Sequence, residues 1–390
     1  MTPVTSRSHL AALDIATWGG FIVFAIVAVI AGINLPEISA TFQMNLAAGG
    51  ALETARNAII FIVLLVAGLL AQRWGKRRFL ALGHYTMAAG LLLISFAQDY
   101  PTLLFSTMLL GVGGGFSEAL LTPLIVDIHP RESGKYLNLS HAFFPLGIVL
   151  AALTFGELLT RGYSWRLSFQ LAAALALTIA ILFTILRLPP SEHETESYFG
   201  QFRAILRMGI FWLFAAAIML GAAVESALTF WSRTYVETYL SEVPRVGAIA
   251  IVVFAGAMMI GRFVTAWLAN RFNLNTIMVG SAVLGIVVSA VIPFATSLST
   301  FYGLLALAGL ATACLWPTLL AEADDSMEVN TTTLFIALAS VGIIGFGVTP
   351  WLMGIIGDLT NLRVGFFIVP VLFGVLTAVL LFERQLSSAD

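Results

Sequence analysis

The sequence predicts an all-α membrane protein whose twelve transmembrane helices form two similar six-helix halves. Composition is the first observation behind this. Of 390 residues, 59% are hydrophobic and 10% charged, where a soluble domain carries about a quarter charged to face water. Twelve apolar runs of crossing length are the second. An internal repeat at an offset of about 197 residues is the third.

A crossing helix needs roughly 20 apolar residues to pass about 30 Å of hydrocarbon. The runs fall at 17–41, 47–71, 79–97, 101–127, 137–159, 167–188, 209–232, 246–270, 274–296, 299–321, 330–357 and 364–383. The first exceeds a signal-peptide core and has no small-residue cleavage site behind it, so it reads as a retained helix. Short connections make neighbours antiparallel. The sizeable polar connection, 189–208, holds Pro189, Pro190, Glu192, Glu194 and Glu196 and divides the chain into halves 1–188 and 209–390.

The halves echo each other in order. "LLAQRWGKRR" follows the second run and "AWLANRFNLN" the eighth, aligning Gln72-Arg73 with Asn270-Arg271. Gly156, Arg166 and Phe169 align with Gly354, Arg363 and Phe366, and Thr122-Pro123 with Trp316-Pro317.

Orientation follows Lys and Arg. With the N-terminus in the cytoplasm, the inner side collects Arg7, Arg73, Lys76, Arg77, Arg78, Arg131, Lys135, Arg187, Arg203, Arg207, Arg262, Arg271 and Arg384. The outer side collects Arg161, Arg166, Arg233, Arg245 and Arg363. Both termini are therefore expected inside. Residues 322–328, with Glu322, Asp324, Asp325 and Glu328, dissent, but acidic residues weigh little in this rule. The single Cys314 rules out a disulfide framework and a multi-cysteine metal site. No basic tract points to nucleic acid, and no residue cluster implies a cofactor.

Ionisable groups inside spans are costly and therefore candidates for function. In the fourth run Gly111, Gly115, Glu118 and Thr122 share a helical face. Small residues there let a neighbouring helix approach, and the Glu118 carboxylate then points into protein, where it can take up and release a proton as a cavity opens to each side. The plainer alternative is a buried structural carboxylate. In the fifth run Asn138, His141 and Pro145 share a face; Asn138 and His141 offer donors and acceptors to a solute hydroxyl or to Glu118, and a hydrogen bond between His141 and Glu118 lies within reach. A packing histidine is the alternative. The seventh run puts Gly221, Glu225 and Ser232 on one face, with Trp231, Tyr235 and Tyr239 after it. Such aromatics suit a sugar's apolar face or an interfacial belt; the tyrosines read as belt, Glu225 and Trp231 as cavity. Glu53 and Arg56, three apart in the second run, are either a self-neutralising pair or leave Arg56 for a substrate anion. In the loop from Gly68 through Gln72, Arg73, Gly75, Lys76 and Arg77, Gly75 permits a tight turn and the basic cluster has a conformational role.

That loop resembles the signature loop of the major facilitator superfamily, with Gln72 where the family has Asp. Within it, the chain resembles the fucose–proton symporter family through "GGGFSEALLTPLI", "YLNLSHAFFPLG", "GAAVESALTFWSRTY", "MMIGRF" and "LWPTLL". The resemblance implies the major facilitator fold, a substrate site between the halves, and a proton-carrying glutamate at Glu118. The family's span-one aspartate is replaced by Gly32, four residues before Pro36, and its Asn-Pro by Thr122-Pro123.

The expected function is proton-coupled symport of a sugar or similar polyhydroxylated solute by alternating access, with Glu118 as proton carrier and Asn138, His141, Glu225, Trp231, Thr122 and Arg56 around the substrate. The expected form is a monomer in the bacterial cytoplasmic membrane, without metal or cofactor. The alternatives are a uniporter or exporter of a hydrophobic compound, or a membrane ligand sensor. No paired-carboxylate, His-rich or nucleophile constellation supports an enzyme.

Overall fold

A computed structural model describes residues 7–130, 132–188, 198–269 and 271–387. Among the described residues, twelve helices are long and apolar enough to cross a membrane: Ser8–Phe42, Leu46–Ala71, Lys76–Phe96, Tyr100–Ile128, Leu139–Thr160, Trp165–Ile185, Gly209–Leu240, Pro244–Leu268, Leu274–Phe294, Leu298–Ser326, Thr333–Leu359 and Leu362–Glu383. They are called spans one to twelve below. The even number puts the start of span one and the end of span twelve on one side, called the terminal face; the other is the far face. Of the connection 189–208, residues 189–197 lie outside the described residues, and Tyr198–Leu206 is a short helix.

Several spans begin where a side chain caps the helix. Asn45, Asp99, Ser164, Asn273 and Ser297 cap their helices with side-chain oxygens on backbone N–H groups. Gly75, at φ +87°, makes the turn between spans two and three with no other residue between the helices; a side chain there would strain the backbone. Spans five and ten are interrupted, where the sequence predicts continuous helices. Span five runs as Ser133–His141 and Phe143–Thr160, and span ten as Leu298–Thr312 and Leu315–Ser326. Pro145 and Pro317 are the cause. Each lacks the N–H that would bond the carbonyl four residues earlier, at His141 and Ala313.

Two buried cores follow the division of the sequence. One is built from spans one to six and the other from spans seven to twelve, with a few residues of span eight and span eleven (Ala248, Ile251, Ala255 and Ile343) in the first and Leu35 in the second. The exceptions mark where the halves meet. Glycines set those meetings: a Cβ on Gly50 would lie 2.4 Å from the Pro350 carbonyl oxygen, one on Gly354 2.4 Å from that of Leu46, and one on Gly156 2.6 Å from the Ala248 Cβ. Spans two and eleven, and five and eight, thus approach at backbone distance near the far face.

Candidate functional site

Span four is wedged between spans two and three by its glycines. A Cβ on Gly111 or Gly115 would strike span two at Arg56 and Val63, and one on Gly113 would strike Gly83 of span three. One turn beyond this stripe, Glu118 is half-buried and has no hydrogen bond or ion pair among the described residues. Thr122, a turn further towards the terminal face, meets His141 at 3.2 Å between Oγ1 and Nε2. The anticipated His141–Glu118 bond is therefore not made here. The imidazole is tilted against Phe21 at 4.9 Å, which holds it beside span one at the break in span five.

On the second half, Glu225 is half-buried midway along span seven, and its carboxylate likewise has no bonded partner. Arg262 acts on it electrostatically, and on His141 across the cleft. Sequence reading counts Arg262 among the inner-side charges, within the run 246–270; the structure places it inside span eight, six residues before Leu268. Span eight explains how it reaches the cleft. Ala248, Ile251 and Ala255 form one stripe, at most 1% exposed, packed on the first half; the same stripe continues through Met259, 45% exposed, to the exposed Arg262. The stripe is covered near the far face and uncovered near the terminal face, so spans five and eight diverge towards the terminal side. Arg262 has no hydrogen bond or ion pair among the described residues.

The bonds that join the halves lie towards the far face. Both Asp358 carboxylate oxygens accept backbone N–H groups at the start of span two, Leu46 at 2.8 Å and Ala47 at 2.9 Å. The Thr54 hydroxyl donates to the Gly347 carbonyl at 2.7 Å. Arg245 joins Thr160 through its backbone N–H at 2.8 Å and Glu157 through its guanidinium at 3.2 Å. Arg233, fully buried, pairs with Glu37 of span one and Glu237 of its own helix, each at 2.5 Å. The sequence suggests an outer-loop position for Arg233, because the apolar run fades at 232; span seven instead continues to Leu240, and the two carboxylates make the buried arginine tolerable.

Other predicted residues sit away from the cleft in this conformation. Trp231 is fully buried in the second core, its indole N–H donating to the Pro350 carbonyl at 3.1 Å. Ser232 is buried too, bonded back to the Leu228 carbonyl. Tyr235 is not an interfacial residue: it is 0% exposed, stacks on Phe301 at 4.6 Å and donates to the carbonyls at the end of span nine. Arg56 is engaged inside the first half, on Glu53 at 2.6 Å and on the Val27 carbonyl. The Asn138 side chain lies outside the described residues, as do that of Gln72 and the whole of Asn270. In the loop after span two, Lys76 pairs with Asp127 at 2.6 Å and Arg73 lies over the Trp74 ring at 5.0 Å. No group of three or more His, Cys, Asp or Glu among the described residues could hold a metal.

Comparison with known proteins agrees with this architecture. Over 91% of its length the chain is 24% identical to the membrane protein MosC of Rhizobium meliloti, of which the match covers 86%. It is 23% identical to the L-fucose-proton symporter of Escherichia coli, over 87% of this chain and 85% of that one. A bacterial homolog of the human lysosomal transporter Spinster, solved in an inward-facing and occupied conformation, superposes with a TM-score of 0.82 at 15% identity, covering 97% of this chain and 98% of the other. Residues 17–344 match the profile of the Major Facilitator Superfamily. With twelve spans among the described residues and two cores that meet near the far face, the chain belongs to the Major Facilitator Superfamily and is a secondary transporter of a small molecule.

Proposed function

We propose that the protein is a proton-coupled symporter of a sugar or similar polyhydroxylated solute in the bacterial cytoplasmic membrane, acting as a monomer with its terminal face towards the cytoplasm. The observation that carries the reading is the Glu118 carboxylate, which stands inside span four with no hydrogen bond or ion pair among the described residues. A carboxylate fixed in an ion pair holds one charge state; a free one at the edge of a cleft exchanges its proton with whichever side the cleft faces. Thr122, His141 and Glu225, with Asn138 on the same segment of span five, supply the donors and acceptors that hydroxyl groups need. The likeness to a relative named as an L-fucose-proton symporter supports the same class. Trp231 and Arg56 stand outside this group in the present conformation.

The test is uptake into liposomes under an inward proton gradient, with a panel of labelled sugars chosen by thermal shift. Glu118→Gln is expected to abolish accumulation against a gradient while leaving solute exchange, because exchange needs no net proton movement. Accumulation at the wild-type level in Glu118→Gln would exclude the proton-carrier role. Stabilisation by hydrophobic compounds and by no sugar would exclude the substrate class.

A further inference from the structure

Glu118 on span four, Glu225 on span seven and Arg262 on span eight are ionisable groups inside spans with no hydrogen bond or ion pair among the described residues. A guanidinium does not lose its proton in proteins. While the cleft is open, water solvates Arg262. When the halves close over this end the water leaves, and an unpaired buried cation is strongly unfavourable. A counter-charge must then come from the protein or from the solute.

The positions single out one protein group. Spans seven and eight are consecutive and joined at the far face; Glu225 lies fifteen residues before the end of span seven at Leu240 and Arg262 eighteen after the start of span eight at Pro244, so the two stand at similar depth on neighbouring helices, where Arg262 acts on Glu225 electrostatically. Both belong to the second half, so rocking one half against the other does not separate them. Glu118 lies on span four of the first half, and among the described residues it has no ion pair. His141, the other titratable group near Arg262, cannot neutralise a cation.

We infer that Arg262 and Glu225 pair when the cleft closes, so that Glu225 remains ionised through the cycle and Glu118 alone carries the proton. The inference rests on the transport reading above and deepens it, because it fixes both stoichiometry and solute charge. With Glu225 and Arg262 cancelling, a protonated Glu118 and a neutral solute make the closed, loaded state electrically neutral. One proton then accompanies each solute, and the ionised Glu118 on the empty return makes the cycle electrogenic by one charge. An anionic solute on Arg262 with both glutamates protonated would move the same charge but two protons, so the proton count separates the schemes.

The decisive measurement is an infrared titration of the carboxyl stretch in full-length protein in liposomes, which requires no solute. Glu118→Gln is expected to remove one titrating carboxyl signal and Glu225→Gln none. Arg262→Gln is expected to add one, and the double variant Glu225→Gln/Arg262→Gln to match wild type. Loss of a signal in Glu225→Gln, or no gain in Arg262→Gln, overturns the inference. The double variant is also expected to melt above either single variant, which distinguishes a lost charge balance from general damage. Thermal shift with D-glucose and D-glucuronate as probes supplies the second arm. Selective stabilisation by D-glucuronate, abolished by Arg262→Gln and not restored in the double variant, would overturn the inference in favour of an anionic solute. If no probe sugar is taken up by any variant, the transport reading fails while the infrared result still decides the pairing.

Discussion

At the far face, charged groups are bonded across the boundary between the halves. Arg233 is enclosed by Glu37 and Glu237, Asp358 holds the first amides of span two, and Arg245 reaches Glu157. Towards the terminal face, Glu118, Glu225 and Arg262 have no bonded partner. The two regions are built from the same side-chain types, so composition does not separate them; ion pairing does. Paired charges make a seal, because each must lose a partner before the halves part. Unsatisfied charges are free to exchange protons or bind a solute.

That contrast breaks most readily at Arg233. Arg233→Met leaves two carboxylates without their shared cation, and removing one partner of a buried pair costs about 3–5 kcal/mol. The far face is expected to open, since its separation hydrates both carboxylates. Spin labels on cysteines introduced at Arg161 and Ser241, which follow spans five and seven, report the separation; the one native cysteine, Cys314, is buried. A distance distribution identical to that of the parent would mean that the pair is not part of the seal. Gly354→Leu tests the close approach rather than the charge. Its side chain would meet the Leu46 carbonyl, which is backbone and cannot rotate away, at an overpacking cost of about 1–3 kcal/mol. The same labels are expected to move apart by a smaller population shift, and a closed far face with normal melting would exclude a steric role. Asp358→Ala removes a cap supplied by the opposite half, worth about 0.5–2 kcal/mol. Asp358→Asn is expected to retain part of that, because its amide oxygen still accepts one N–H. Equal behaviour of the two variants would argue that the contact contributes little.

The frame of the molecule was legible because lipid imposes it. Uninterrupted apolar runs located the twelve spans, and the Gly75 turn announced itself as a glycine between a tryptophan and a basic cluster. Glu118 stood out as a carboxylate on a glycine face. What the sequence hid depends on contacts between distant segments. Arg233 read as a loop residue because its partner Glu37 lies in another half, though Glu237 four residues on was a local hint. Arg262 sat inside a noticed motif, yet its place on the uncovered part of a stripe is visible only once span eight is packed. Trp231 read as a sugar platform because an aromatic near a carboxylate fits that use; in the fold its indole N–H satisfies the Pro350 carbonyl.

Among the described residues, Thr54–Gly347 is the cross-half hydrogen bond between spans two and eleven that lies furthest from the far face, with Ile343 packed on the first half one turn beyond it, and it is taken as the pivot for rocking of the halves. Gly347 stands twelve residues before Leu359 and sixteen after Thr331, arms of about 18 Å and about 24 Å at 1.5 Å per residue. A rotation of about 10° about that point moves the far end by about 3 Å and the terminal end by about 4 Å. The shorter displacement is as long as the bonds from Asp358, so a turn that small detaches the far face completely. The longer one brings the uncovered end of span eight towards span five. Leverage of this kind makes opening at one end and closing at the other a single motion, with little room for a state in which both ends stand open.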